Sequence, residues 1–116
     1  MTDDNKDSRI FVEHILASIN LVERYVKNKR KRNFLNSVDL QDKVIRRIEI
    51  IGEAIRHISA KIKGQYPDVH WKDIAGMRDK LIHVYFGVDL ELTWEVVQKD
   101  LPVLKQQMLE IKEGLS

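Results

Sequence analysis

Residues 38–63 read VDLQDKVIRRIEIIGEAIRHISAKIK. Within this stretch Val44, Ile48, Ile51, Ile55, Ile58 and Ile62 recur at intervals of 4, 3, 4, 3 and 4 residues. An α-helix turns once in about 3.6 residues, so these six side chains form one apolar stripe, with charged residues beside it. Asn36 or Ser37 provides an oxygen to cap the start of this helix, which should run to about Lys63. Gly64 takes a left-handed turn cheaply and should end it. Residues 65–70 then read as a loop, and Pro67 confirms the break.

The same spacing extends in both directions. Upstream, Val12, Ile15, Ile19, Val22 and Val26 are spaced 3, 4, 3 and 4, predicting a helix capped by Ser8 and reaching about Asn28. Residues 1–7 are polar and expected to be frayed or disordered, and residues 29–36 read as the helix end plus a turn. Downstream, a third helix is expected from Trp71 or Lys72 to about Tyr85, with Ile74, Met77, Leu81 and Val84 as its seam and Gly87 as its stop. Asp89 should cap a fourth helix. Its seam runs from Leu90 through Trp94, Val97, Leu101, Leu104 and Met108 to Ile111 and Leu115. Pro102 lies inside that register and predicts a kink, or a restart with Asp100 as cap. Period-two alternation is absent, so no strand is expected. Four amphipathic helices with short connections predict an all-α, antiparallel four-helix bundle, a single domain over residues 1–116. The heptad-like seams also suit a helical homodimer.

Composition narrows the chemistry. The 116 residues include no cysteine, which excludes a disulfide scaffold, a thiolate metal site and a cysteine nucleophile. His14, His57, His70 and His83 share no close ligand spacing, so no metal or cofactor is expected. The longest nearly apolar stretch, residues 81–88, falls far below the roughly 20 residues that span a bilayer. The start of the chain is acidic where a signal peptide is basic and then apolar, and the expected location is the cytoplasm, without membrane contact. Net charge is +2, yet Lys27, Lys29, Arg30, Lys31 and Arg32 supply five of the 20 cations, leaving 15 against 18 carboxylates elsewhere. Outside this one basic spot the molecule is mildly acidic.

The most informative segment is Trp71-Lys72-Asp73-Ile74-Ala75-Gly76-Met77-Arg78-Asp79-Lys80-Leu81-Ile82-His83-Val84-Tyr85. On a helical wheel Arg78 and Tyr85 share one flank of the apolar stripe, with Ile82 beside them. His83 stands about 140° from Arg78 on a straight helix. Convergence of Arg78 and His83 therefore requires the helix to loosen before Gly87, or a second protomer to complete the site. Taken alone, these residues also fit a surface ion pair at Arg78, a solvated His83 and a packed Tyr85.

Arg78, four residues, His83, one residue and Tyr85 match the Arg-x4-His-x-Tyr motif of the HEPN superfamily. The lead-in from Trp71 to Asp79, the Ile51-Gly52-Glu53-Ala54 run, Asp89, Trp94 and the Asp100-Leu101-Pro102 turn resemble its HepT-like branch, in order over nearly the whole chain. The resemblance implies the toxin of a HepT/MNT-type toxin–antitoxin system: a homodimeric, metal-independent endoribonuclease acting on tRNA or mRNA. Its implied partner is a minimal nucleotidyltransferase antitoxin that silences it by adding AMP to the motif tyrosine, here Tyr85. The residue types suit that chemistry. Histidine titrates near neutrality and can move protons, so His83 is the candidate base or acid. Arg78 can hold the phosphate and stabilise charge on the phosphorane. One His83 per chain serves two proton transfers poorly, whereas a two-fold interface brings two.

Other residues carry two readings each. Glu53 either orients Arg78 or His83 or lies on the surface, and Gly52 permits a close helix approach near the motif. Asp79, four residues before His83, either orients the imidazole or makes a surface ion pair. Lys29, Arg30, Lys31 and Arg32 either hold RNA backbone, with Phe34 stacking on a base, or form a solvated helix end with Phe34 in the core. Trp71 and Trp94 read as core or interface anchors. For the chain as a whole, the rival reading is a non-catalytic helical module that docks the nucleotidyltransferase or nucleic acid.

Overall fold

A computed structural model of the chain describes residues 2–83 and 87–115. Three long helical stretches carry the fold. Helix α1 spans Thr2–Val26, α3 spans Val38–Arg56, and α7 (Leu90–Glu95) continues through a π turn (Val96–Asp100) into α8 (Leu101–Gly114). Short helices fill the intervals: α2 (Lys31–Leu35), α4 (Ala60–Gln65), α5 (Trp71–Ala75) and α6 (Met77–Leu81). A two-residue strand β1 (Ile82–His83) pairs antiparallel with β2 (Gly87–Val88), Ile82 opposite Val88 and His83 opposite Gly87. The fold is an all-α bundle, and the expected apolar seams of α1, α3 and α8 are its core. Helix α1 packs on α3 and α8, while α5 and α6 pack on α3.

Several boundaries differ from expectation, each for a visible reason. Helix α1 begins before Ser8, with residues 2–7 in helical conformation. Ser8 is not a cap. It is buried, and its hydroxyl oxygen accepts the Ser59 backbone N–H at 3.1 Å, tying α1 to the end of α3. Helix α1 stops at Val26, and Asn28 adopts φ +62°, a left-handed turn that asparagine tolerates. The segment expected to be a plain turn contains α2, held because Phe34 is fully buried against Trp94, ring centroids 5.5 Å apart.

Ser37 caps α3, accepting the Leu40 N–H at 3.1 Å. That helix ends at Arg56 instead of running to Lys63, because Ser59 caps a new helix, α4, by accepting the Ile62 N–H at 3.3 Å. Ile58 and Ile62 stay buried across the break, so the seam survives although the helix does not. Gly64 lies inside α4 rather than at its end.

The third expected helix is split at Gly76 and ends at Leu81, where the chain becomes extended. The Asp89 N–H donates to the Leu81 carbonyl at 2.7 Å, and Gly87 at φ +77° permits the strand pairing. Asp89 caps α7 as expected, accepting the Leu92 N–H at 3.0 Å. Near Pro102 the helix neither stops nor restarts on a cap: Asp100 makes no side-chain capping bond, and the wide π turn precedes the proline. Pro102 lacks an N–H and its ring crowds the preceding turn, which the wider turn accommodates. Among the described residues, no helix is long and apolar enough to cross a membrane.

Candidate active site

The site starts from a glycine. A β-carbon on Gly52 would stand 3.2 Å from the Ala75 carbonyl oxygen and 3.4 Å from that of Ile74. Glycine lets the end of α5 lie this close to α3, where any β-carbon would require the α5 backbone to give by a few tenths of an ångström. One turn later on α3, Arg56 Nη2 donates to the same Ala75 oxygen at 3.1 Å. The joint between α5 and α6 is thereby fixed to α3, and α6 emerges from it with Arg78 in its first turn. The expected role of Gly52 in a close approach is what the backbone shows.

Arg78 Nε donates to Glu49 Oε2 at 2.7 Å, and its Nη1 lies 3.5 Å from Asp79 Oδ1. The Glu49 carboxylate, first by this hydrogen bond and then by its charge, raises the Arg78 pKa above its ordinary value. The guanidinium is a permanent cation, and its side chain remains 51% exposed. It has five N–H donors, and among the described residues its contacts engage only the Nε and Nη1 positions.

Arg78 borders an open groove of about 420 Å³ between α1, α3 and α6. From α3 come Arg46, Glu49, Ile50, Glu53, Ala54 and His57, and from α1 Phe11 and His14. Phe11 stacks on His57 at 4.8 Å between ring centroids and 15° between planes, and meets His14 edge-on at 5.8 Å. Glu53 Oε1 lies 3.3 Å from His57 Nε2. Among the described residues, no group of three or more His, Asp or Glu side chains is placed to hold a metal ion.

The sequence candidates divide accordingly. Arg78 and Glu53 line one groove, but Glu53 contacts His57, and the residue that orients Arg78 is Glu49. Asp79 contacts Arg78 and is 76% exposed. With α6 ending at Leu81, the helical four-residue relation between Asp79 and His83 does not exist. Nor does the 140° separation of Arg78 and His83, because the chain leaves the helix between them and places the His83 backbone in β1. The His83 side chain and Tyr85 lie outside the described residues. Lys29, Arg30, Lys31 and Arg32 are exposed where α1 gives way to α2, and Lys31 pairs with Glu91. Phe34 is not available to stack on a base, being fully buried. Trp71 and Trp94 pack half-buried on the core, and Trp71 Nε1 donates to the Tyr66 carbonyl at 3.0 Å.

Sequence reasoning missed Glu49 as the partner of Arg78, and Arg46, His57, Phe11 and His14 as residues lining the same groove. A signal existed for the α3 residues: positions 46, 49, 50, 53 and 57 share one helix face beside the apolar seam. Nothing in sequence tied the α1 pair to it.

A family model described as Ribonuclease HepT-like matches residues 15–111. The chain belongs to the HepT-like ribonuclease family. Membership places it among ribonucleases of the HEPN type, and the motif from Arg78 to Tyr85 lies within the matched span. A Methanocaldococcus jannaschii protein named "Gamma-glutamylcyclotransferase and putative RNase" is 54% identical over 110 residues, which are 95% of this chain and 50% of that one. This chain thus spans half the length of that relative. A Caldanaerobacter subterraneus protein named "Putative RNase" is 40% identical over 106 residues, 91% of this chain and 95% of its own. A Thermococcus cleftensis protein named "Probable ribonuclease HepT" is 39% identical over 103 residues, 89% and 94% of the two chains. No solved structure matches the chain.

Proposed function

We propose that this HepT-like chain is the toxin of a toxin–antitoxin pair, a metal-independent endoribonuclease that acts in the cytoplasm as a homodimer. The observation that carries the reading is Arg78, a permanent cation braced by Glu49 at the edge of an open groove, five residues before His83 in a ribonuclease family. Arg78 holds the scissile phosphate and stabilises the charge that builds on the phosphorane. His83 removes the proton from the ribose 2′-OH, the 2′ oxygen forms a bond to phosphorus, and the P–O5′ bond breaks. The departing 5′ oxygen takes a proton from a second imidazole, the His83 of the other protomer, leaving a 2′,3′-cyclic phosphate. Asp79 and Glu49 brace the guanidinium, and Lys29, Arg30 and Arg32 add non-specific attraction for RNA backbone. The partner is a nucleotidyltransferase antitoxin, and AMP on Tyr85 would bring bulk and negative charge close to Arg78 in sequence, competing for the phosphate position.

The test is cleavage of total RNA and of tRNA by purified protein in EDTA, wild type beside His83→Ala, with analysis of the new ends. Cyclic-phosphate ends made by wild type and lost in His83→Ala are the expected result. Failure of the unmodified wild type to cut either RNA favours the non-catalytic docking module.

A further inference from the structure

The groove beside Arg78 contains an aromatic construction that phosphate chemistry alone does not use. His57 is fixed from two sides: Phe11 covers one ring face at 4.8 Å, and Glu53 engages its Nε2 at 3.3 Å. Its side chain is nevertheless 53% exposed. A planar ring backed on one face by a second ring and half open to solvent can serve as a stacking platform, since its contacts already orient it before a base settles on it. Two cations share the groove with two carboxylates, of which Glu49 is engaged by Arg78 and Glu53 by His57. Arg78 stands at one border, and Arg46, which makes no ion pair among the described residues, lies one helical turn before Ile50 on the groove wall. Ile50 and Ala54 add an apolar floor. An aromatic platform beside cations is the combination that binds single-stranded nucleic acid, whose bases stack while its phosphates are neutralised. A volume of about 420 Å³ falls within the usual range for small-ligand sites. A second groove, of about 430 Å³, sets Asp68, Asp73 and Asp100 against the single cation Lys80, with His70 beside them, and offers a polyanion less.

We propose that His57, backed by Phe11, is a nucleobase-stacking subsite that receives a base flanking the phosphate held by Arg78, with Arg46 contacting the adjoining phosphate. The subsite rests on the ribonuclease reading for its substrate, but its own content is recognition, and recognition can be measured without turnover. His57 and Phe11 position the strand. They take no part in proton transfer.

The experiment measures equilibrium binding of an uncleavable 2′-deoxy oligonucleotide and of an abasic strand of equal length and charge. Wild type is compared with His57→Ala and His57→Phe. Both changes lie at an exposed position, and far-ultraviolet circular dichroism confirms helicity. His57→Ala should weaken binding of the base-bearing strand roughly five- to a hundredfold, as base–aromatic stacking is worth, while leaving the abasic strand unchanged. His57→Phe, which keeps a ring, should restore binding. With cleavable RNA His57→Ala should raise KM and leave kcat nearly unchanged. Equal affinity of wild type and His57→Ala for the base-bearing strand overturns the subsite, as does an equal loss for both strands. RNA cleavage by wild type on the same preparation separates the two ideas. Cleavage with unaltered His57→Ala binding overturns the subsite alone, and base-selective binding without cleavage overturns the nuclease reading alone. Failure of wild type to bind either strand overturns the subsite and assigns the groove to another partner, such as a protein side chain.

Discussion

At the scale of single residues, the proposed function turns on how Arg78 is held. Its two contacts among the described residues are carboxylates, Glu49 on α3 and its neighbour Asp79. Both fix the guanidinium, and both oppose the arrival of a phosphate. Glu49→Gln keeps an acceptor near Nε but removes the charge. RNA should then bind at least as well, because repulsion is relieved, while kcat should fall on the order of tenfold to a hundredfold as the guanidinium loses its alignment. Steady-state kinetics that separate KM from kcat check this, and a rise in KM with unchanged kcat would refute the bracing role. The melting temperature should hardly move, since the pair is solvent-exposed and screened. The sign of the pH effect follows from the raised Arg78 pKa. A cation whose folded pKa is raised stabilises fully below its unfolded value and loses that contribution only as pH climbs through the folded one. Both lie far above working pH. Arg78 thus adds no pH dependence to activity or stability near neutrality, and any pH profile there belongs to other groups.

At the scale of elements, the site depends on a joint. Helices α5 and α6 meet at Gly76, and the joint is held against α3 by the missing side chain of Gly52 and by Arg56. A methyl group at position 52 meets backbone rather than a flexible side chain, and Arg56 anchors the same carbonyl, so the joint yields poorly. Alanine gains about 1 kcal/mol of helix propensity over glycine, whereas overpacking costs about 1–3 kcal/mol. Gly52→Ala should therefore lower stability by about 1 kcal/mol net, measured by urea titration. It should lower RNA cleavage more than that loss explains, because α6 is displaced together with Arg78. An increase in stability with full activity would show that the joint gives way easily. The split of the third helix was hidden in sequence because its seam of Ile74, Met77 and Leu81 keeps helical spacing across Gly76. Burial imposes that period on the seam even where the backbone hydrogen bonds change. The break between α3 and α4 was hidden in the same way, since Ile58 and Ile62 continue the register.

At the scale of the whole molecule, one core links the groove to the basic run. Phe34 inserts from α2 between the start of α3 and Trp94 of α7, and thereby fixes where Lys29, Arg30 and Arg32 stand. From Val38 to Glu49 the α3 axis rises roughly 16 Å, so the run and Arg78 can engage one RNA strand only at separate points along it. Phe34→Ala should cost about 3–5 kcal/mol, as large-to-small changes in closed cores do, and should lower the urea midpoint markedly. At a temperature where the variant remains folded, its affinity for RNA should fall more at low salt than at high salt. The run acts through charge, and its placement would be lost.

The apolar periods of α1, α3 and α8, the cap at Asp89, the choice of Asn36 or Ser37 as the cap of α3, and the Arg78–His83–Tyr85 spacing were all determined by the sequence itself. Each is a local rule: helical spacing selects a buried face, a short oxygen-bearing side chain satisfies free N–H groups, and a motif is read residue by residue. Tertiary structure alone decided that Ser8 is a buried acceptor rather than a cap, that the chain leaves the helix at Ile82, and that Glu49 instead of Glu53 braces Arg78. It also decided that Phe11 and His57, 46 residues apart, share a stacked face. These outcomes depend on which helix meets which. A serine, a glutamate or an aromatic ring carries no record of its distant neighbour, and the neighbour is chosen only when the joint at Gly52 and the common core bring the helices together.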